Sequence, residues 1–212
     1  MDGFNQVKDA GACAMVMSCI CGLAMCGGWV TFMVYLGKYA YSNPNAPAVY
    51  GVANGVDGLY DTAAAAEAAG AVDISDVHGH MVAWFTWGFW NQLLPILSGL
   101  AAGLGMLLSP ALGSCLGGLG MCGFSCGGLV WWIIGMVWRF NAAGSFAAGD
   151  SYADRDVEDF QAAFIADQPL NQVQSGNFMA IYYLITWIMM GVSCGCGILC
   201  ALGACIASMC CK

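Results

Sequence analysis

The sequence predicts an all-α membrane protein, a four-transmembrane-helix bundle in which two loops of about forty residues form a small cap on one side. Of the 212 residues, 60% are apolar and 8% are charged, whereas a soluble domain carries about 25% charged residues. The charges are unevenly distributed, because residues 10–37, 77–138 and 168–211 contain none. Such stretches offer no surface for a water-soluble domain, so we expect the chain to cross a membrane.

The spans are assigned from the length of each apolar stretch. A helix needs about 20 apolar residues to cross about 30 Å of hydrocarbon, so the first and third stretches each fit one span. The middle stretch fits two, and Ser109-Pro110 divides it because proline lacks an N–H and favours a turn. The predicted segments are an N-terminus at 1–10, a first span at 11–37, a first loop at 38–80, a second span at 81–108, a turn at 109–111, a third span at 112–138, a second loop at 139–177, a fourth span at 178–209 and a C-terminus at 210–212.

Charge and cysteine content distinguish the two faces of the membrane. The two loops contain eleven acidic and three basic residues, whereas the charges of the two termini cancel. Lysine and arginine near the span ends number three on the loop side and two on the other, so they do not settle the orientation. All thirteen cysteines lie in or beside the spans, in the half nearest the termini. Reduced thiols are typical of the cytosol, so we expect cytosolic termini and extracellular or lumenal loops.

Each loop contains a pattern that predicts a short helix. Asp61-Thr62 before Ala63–Ala69 is typical of a capped helix. Residues Asp154–Ala166 place four apolar side chains close to helical spacing, with acidic residues on the other face. We expect the two loops to pack together as a cap without disulfides, because neither contains cysteine.

Small and aromatic residues occupy opposite halves of the spans. Lipid offers no hydrophobic drive between helices, so helix association depends on close backbone approach, which small residues permit. We therefore predict tight packing near the termini and an aromatic belt near the loops. A further hypothesis is a wedge, splayed at its aromatic end, that packs beside other copies. The glycines of four small-xxx-small pairs are Gly99, Gly103, Gly113, Gly117, Gly123, Gly127, Gly191 and Gly195.

The spans contain few groups capable of chemistry, and no ionisable Asp, Glu, Lys, Arg or His. Their most polar site is Asn91-Gln92, one turn before Pro95. It predicts an interhelical hydrogen bond or, alternatively, a solute contact at a kinked helix. The pairs Cys122/Cys126 and Cys196/Cys200 have the i,i+4 spacing that would suit a soft metal. Cysteine is equally a small apolar packing residue, so no metal or cofactor is expected.

The remaining polar segments also have two interpretations. The stretch 73–80 combines two acids with two histidines, which suits a solvated acidic loop better than a divalent-cation site. Cys210 and Cys211 fit either S-palmitoylation or unmodified thiols. The chain has no nucleophile–base arrangement, phosphate-binding loop or dinucleotide fingerprint, so we do not expect an enzyme. An acidic face would repel nucleic acid.

One set of segments resembles known sequences. These segments are Trp138-Arg139-Phe140-Asn141, Gly144, Gly149-Asp150, Ser175-Gly176-Asn177-Phe178 and Tyr182-Tyr183. They cover about a quarter of the chain and resemble a loosely defined set of uncharacterised eukaryotic four-span transmembrane proteins. The resemblance implies the four-span topology and brings no activity or site residues. Tetraspanins, claudins and connexins rely on loop cysteines, which this chain lacks.

The function that these patterns favour is structural. We expect a multi-pass protein that contacts membrane lipids and self-associates laterally, through transmembrane aromatic and loop surfaces, into an oligomer or ordered array with acidic caps. One alternative is a pore or transporter for a neutral or soft-metal solute, lined at Asn91-Gln92 or by the thiols. Another is an accessory subunit of a larger membrane complex.

Overall fold

The computed structural model describes residues 23, 26–42, 46–150 and 172–210. The chain divides into two compact units, one of Met1–Asn43 with Val82–Leu129 and the other of Pro44–Met81 with Val130–Lys212. In chain order the described elements are helix α1 (26–41), strands β1 (Val49–Ala53) and β2 (Val56–Tyr60), helix α2 (Ala63–Ala68), strand β3 (Val72–Asp76), and helices α3 (Val77–Leu108), α4 (Pro110–Phe140), α5 (Ala142–Ala147) and α6 (Val173–Cys210).

Within the described ranges, three helices are long and apolar enough to cross a membrane, which indicates an integral membrane protein. They are α3, α4 and residues Val173–Val192 of α6. Most of the predicted first span, 11–37, lies outside the described residues, so a fourth crossing stays a prediction. Helix α3 begins at Val77 rather than Met81, and α6 begins at Val173 rather than Phe178. The membrane helices therefore start within the predicted loops.

In the first unit, α1 packs against α3 through aromatic side chains. Leu36 and Tyr39 are buried on one face of α1, and the Tyr39 ring stacks on Phe85 with centroids 4.8 Å apart. One turn later, the Trp90 Nε1–H donates to the Tyr41 hydroxyl at 2.7 Å. An indole N–H finds a partner when it is partly removed from water, so this bond aligns the end of α1 with the first half of α3.

The connection between α3 and α4 is a single residue. Ser109 alone separates Leu108 from Pro110, where the sequence predicts a turn at 109–111. The Ser109 hydroxyl accepts a hydrogen bond from the Leu112 N–H at 3.1 Å. Serine is a favourable N-cap, and proline suits the first helical position because its missing N–H would have no partner there. The two long helices thus form a hairpin.

The first long connection contains a three-stranded antiparallel sheet of order β2-β1-β3, which the sequence analysis does not predict. Strands β1 and β2 pair from Val49↔Tyr60 to Ala53↔Val56. Their turn is Asn54-Gly55, with φ of 52° and 77°. Left-handed backbone at both positions is typical of the two-residue hairpin turns that Asn-Gly favours. The Tyr50 hydroxyl on β1 bonds the Asp57 carboxylate on β2.

The described part of the second unit contains two short helices. The predicted capped helix after Asp61-Thr62 is confirmed as α2, whose N-cap Thr62 accepts a hydrogen bond from the Ala65 N–H at 3.1 Å. Helix α5 follows α4 directly, with Asn141 as its N-cap. The amphipathic helix predicted at Asp154–Ala166 lies outside the described residues.

Candidate functional site

The most polar buried group of the second unit is the guanidinium of Arg139, in the last turn of α4. Arg139 is 2% exposed. Its Nη1 and Nη2 atoms donate to the two carboxylate oxygens of Asp150 at 2.5 and 2.9 Å, and its Nε donates to the Gly176 carbonyl at 2.8 Å. A bidentate pair fixes the guanidinium plane as well as its charge. Arg139 therefore clamps the end of α4 to Asp150 and to the first turn of α6.

The backbone around Arg139 approaches so closely that only glycine fits at two positions. A Cβ atom at Gly144 would overlap the Trp138 carbonyl oxygen, and one at Gly176 would overlap the Ala148 Cβ. The Asn141 Oδ1 accepts from the Gly144 N–H at 2.7 Å, which starts α5 at this point. The turn after α5 has left-handed backbone at Gly149, with φ of 74°. These glycines allow Asp150 to reach Arg139.

Several of the segments that the sequence analysis names around Trp138–Asp150 and Ser175–Phe178 meet in this clamp. Arg139, Asp150 and Gly176 are bonded to one another, and Asn141 and Gly144 form the cap beside them. Further along α6, the Tyr183 hydroxyl donates to the Trp132 carbonyl of α4 at 3.0 Å. These segments therefore form one structural unit that joins α4, α5 and α6.

A row of glycines on α4, which we call the glycine seam, faces α3 in the first unit. Its spacing of three and four residues places every member on one face of α4. Cβ atoms built at Gly117 and Gly123 would lie 3.4 Å from Ala102 and 3.2 Å from Leu94, and one at Gly120 would overlap Ser98. The two backbones therefore approach as closely as small residues allow. The seam consists of Gly113, Gly117, Gly120, Gly123 and Gly127.

Asn91 lies against the last turn of the glycine seam. It is 6% exposed, and a Cβ at Gly127 or Gly128 would lie 3.0 or 3.2 Å from its amide oxygen or nitrogen. Its Nδ2 is buried without a hydrogen-bond partner in the described part of the chain. The interhelical hydrogen bond expected of Asn91 is therefore not formed there, and Asn91 packs on glycine backbone instead. Its neighbour Gln92 faces a different direction and lines a cavity.

The eight glycines predicted to pack helices separate into two sets. Gly113, Gly117, Gly123 and Gly127 belong to the glycine seam. The other four have open space at the Cβ position, since no atom of the described residues lies within 4 Å of it. We call these two pairs the open glycine faces: Gly99/Gly103 on α3 and Gly191/Gly195 on α6.

The predicted sulfur and acid–histidine sites are only partly described. Cys210 ends α6 with its side chain outside the described part, and Cys211 lies beyond it. The Cys122 and Cys126 sulfurs are 4.0 Å apart and exposed. Within the described ranges, no three His, Cys, Asp or Glu side chains converge as metal ligands. In the stretch 73–80, the Asp76 carboxylate accepts from the Gly79 N–H at 2.8 Å.

Sequence reasoning missed two members of these sites. The sequence analysis treats Arg139 as one of the charges of the second loop. The signal for its burial is the apolar run that precedes it, together with Gly144 and Gly149, which follow it. Gly120 was not paired, although it continues the seam at a spacing of three residues from Gly117. Only its partner on α3, Ser98, reveals this role, and Ser98 lies far away in sequence.

Comparison with known proteins adds no relatives. No protein-family model matches the sequence, no curated protein gives a significant match, and no solved structure gives a significant match.

Proposed function

We propose that this protein is a structural multi-pass membrane component that self-associates laterally and presents an acidic cap. The observation that carries the proposal is the pair of open glycine faces. The same small-residue spacing closes α4 onto α3 along the glycine seam, yet Gly99/Gly103 and Gly191/Gly195 have no side chain or backbone within 4 Å of their Cβ positions among the described residues. Small-xxx-small faces allow helix backbones to approach each other in lipid.

The residues beside Gly99/Gly103 support a second copy of this chain as the occupant. Leu100, Leu104 and Leu107 are 63%, 67% and 81% exposed, so this face presents only apolar side chains around a flat glycine surface. Helix α3 carries no Asp, Glu, Lys or Arg that would select a charged partner. A close contact between two such faces gains van der Waals packing that lipid tails do not provide equally well at a flat surface.

The acidic cap is proposed from contacts between the two long connections. The Gln172 amide nitrogen donates to the Ala46 carbonyl at 2.7 Å, and the Tyr50 ring meets Phe146 edge to face with centroids 5.6 Å apart. The segment 46–76 contains no basic residue. Its exposed carboxylates would keep the cap in water and orient it away from other acidic surfaces. They belong to Asp61, Glu67, Asp73 and Asp76.

The test is lateral association of the purified full chain in lipid vesicles. Donor- and acceptor-labelled copies should show energy transfer that falls as lipid dilutes the protein at constant protein amount. The double variant Gly99→Leu/Gly103→Leu should weaken association about ten-fold or more, because leucine holds the backbones apart. Gly118→Leu adds the same side chain at an exposed site of α4 outside both open glycine faces, and it should associate normally.

Two results would contradict the proposal. One is energy transfer that stays at the random-collision level for the unaltered chain at every lipid ratio. The other is a stoichiometric foreign subunit that copurifies from the source membrane and occupies the Gly99/Gly103 face, since this would make the protein an accessory subunit.

A further inference from the structure

A cavity of about 350 Å³ lies beside the middle of α3 in the first unit. Its walls are Trp29 of α1, Gln92, Pro95 and Ile96 of α3, and Phe124 of α4. Pockets of a few hundred Å³ with mainly apolar walls and one or two polar groups are typical of small-molecule sites. The cavity is therefore large enough for a ligand and is placed within the apolar length of a candidate membrane span.

The cavity has one polar side chain in its wall, the amide of Gln92. The Gln92 amide, which lines the cavity, makes no hydrogen bond with another described residue. In hydrocarbon, an amide without a hydrogen-bond partner is unfavourable. A ligand with a hydroxyl group could donate to the Gln92 Oε1 and accept from the Gln92 N–H.

The remaining walls specify the rest of the ligand. Trp29, Pro95 and Phe124 contribute three rigid rings, which suit a flat, rigid hydrocarbon better than a flexible chain. Helix α3 contains no Asp, Glu, Lys or Arg, so a charged ligand would have no counter-charge there. A neutral lipid with fused rings and a single hydroxyl meets these conditions.

We propose that this cavity binds a sterol, with the sterol hydroxyl on the Gln92 amide and its rings between Trp29, Pro95 and Phe124. Binding would give the Gln92 amide a partner without introducing charge into the membrane. Ile96 precedes Gly99 by three residues, so the cavity adjoins the Gly99/Gly103 face, but labelling of the cavity is measured independently of lateral association.

The experiment uses the full chain in sterol-free phosphatidylcholine vesicles and a photoactivatable, clickable cholesterol analogue. We expect saturable labelling, located by mass spectrometry in the peptides that carry Trp29, Ile96 or Phe124, and displacement by excess cholesterol. Cholesterol methyl ether, which cannot donate a hydrogen bond, should compete about ten-fold less well. Labelling that rises linearly without saturation, or equal competition by the ether, would overturn the proposal.

Matched variants separate the cavity from the general lipid surface. Ile96→Trp fills the cavity and should lower labelling at least about five-fold. Leu97→Trp adds the same bulk one residue later, at a side chain 51% exposed and outside the cavity walls, and should label normally. Gln92→Leu retains the volume and favours a membrane helix, so it should fold yet label about ten-fold more weakly. Unchanged labelling of folded Ile96→Trp or Gln92→Leu refutes the site.

Discussion

Arg139 combines a full positive charge with a 2% exposed side chain. A buried charge is tolerated only when it is paired and its donors are satisfied. Its Nε and both of its terminal nitrogens bond the Gly176 carbonyl and Asp150, and Asp150 remains about a third exposed. Water therefore still solvates part of the pair. The clamp connects three segments of the chain. Removal of the Arg139 side chain would leave the Asp150 carboxylate unpaired and the Gly176 carbonyl without this hydrogen bond.

Replacing Arg139 should destabilise the protein more than removing any other positive charge on the loop side. For Arg139→Met we expect a loss of about 3 kcal/mol in the free energy of unfolding, measured by SDS titration in mixed micelles. Arg139→Lys should lose less, because it keeps the charge but not the bidentate geometry. Lys38→Met removes a charge from an exposed side chain and should cost about 0.5 kcal/mol or less. Equal losses for Arg139→Met and Lys38→Met would show that the clamp is energetically unimportant.

At the scale of elements, the α3–α4 hairpin depends on the absence of side chains along one face. Ser98 lies where a Cβ of Gly120 would be placed, so the two helices cannot separate by a small amount without losing contacts along the whole glycine seam. The interior of a protein is packed densely enough that added atoms cannot be absorbed locally. Substitution within the seam must therefore move a helix.

Two glycines of α4 provide a matched comparison for this packing. Gly120→Leu should lower the free energy of unfolding by about 3 kcal/mol, because the side chain must displace Ser98 and its helix. Gly118→Leu, two residues earlier and open to its surroundings, should be neutral or raise it by about 0.5–1 kcal/mol, since leucine is the better helix former. Thermal unfolding of both variants in the same detergent gives the comparison, and a neutral Gly120→Leu would disprove close packing at Ser98.

The helices follow from the sequence, whereas the sheet and the clamp do not. Uninterrupted apolar stretches broken at Ser109-Pro110 predict long membrane helices because nothing else satisfies the backbone in lipid. The sheet forms from three strands of only five residues each, rich in Val and Tyr. Such short runs are weak signals by themselves, and the strongest local signal is the Asn54-Gly55 turn. The clamp requires Arg139 to meet Gly176, 37 residues away. Local patterns do not encode such a distant partner, so burial of Arg139 was not foreseen.

In the molecule as a whole, the acidic residues are separated from the long apolar helices along the chain. The acidic residues of the described chain lie in the connections before α3 and after α4 rather than within the long apolar helices. Because α3 and α4 are joined by Ser109 alone, two crossings by this hairpin would return the chain to the face from which it came. The orientation of that face stays a prediction from the cysteine distribution.

Glycosylation mapping tests the predicted topology with very small changes. Val56→Thr completes an Asn-x-Thr acceptor at Asn54, in an exposed turn of the first connection. Ala153→Asn with Arg155→Thr creates an acceptor in the second connection. In microsomes, each variant should gain one glycan, seen as a gel shift that a glycosidase reverses, because both connections are expected to be lumenal. Modification of only one variant would place the two connections on opposite faces and refute the four-span topology.

The residues on the two sides of 151–171 are hydrogen-bonded to each other, from the Gln172 N–H to the Ala147 carbonyl. This contact allows a further prediction. Replacing residues 151–171 with about six Gly and Ser residues should leave the protein folded and the labelling of the α3 cavity unchanged. A shorter closed loop loses less chain entropy on folding, which is worth about 1 kcal/mol in favour of the shortened protein. Loss of folded protein on size-exclusion chromatography would show that 151–171 supports the fold.

The Gln172 backbone N–H donates to the Ala147 carbonyl at 2.7 Å, so residues on the two sides of 151–171 are in direct contact. A change in the length or sequence of 151–171 would therefore leave this junction in place. Relatives of this chain should accordingly diverge fastest within 151–171 and preserve the residues that hold its two ends together.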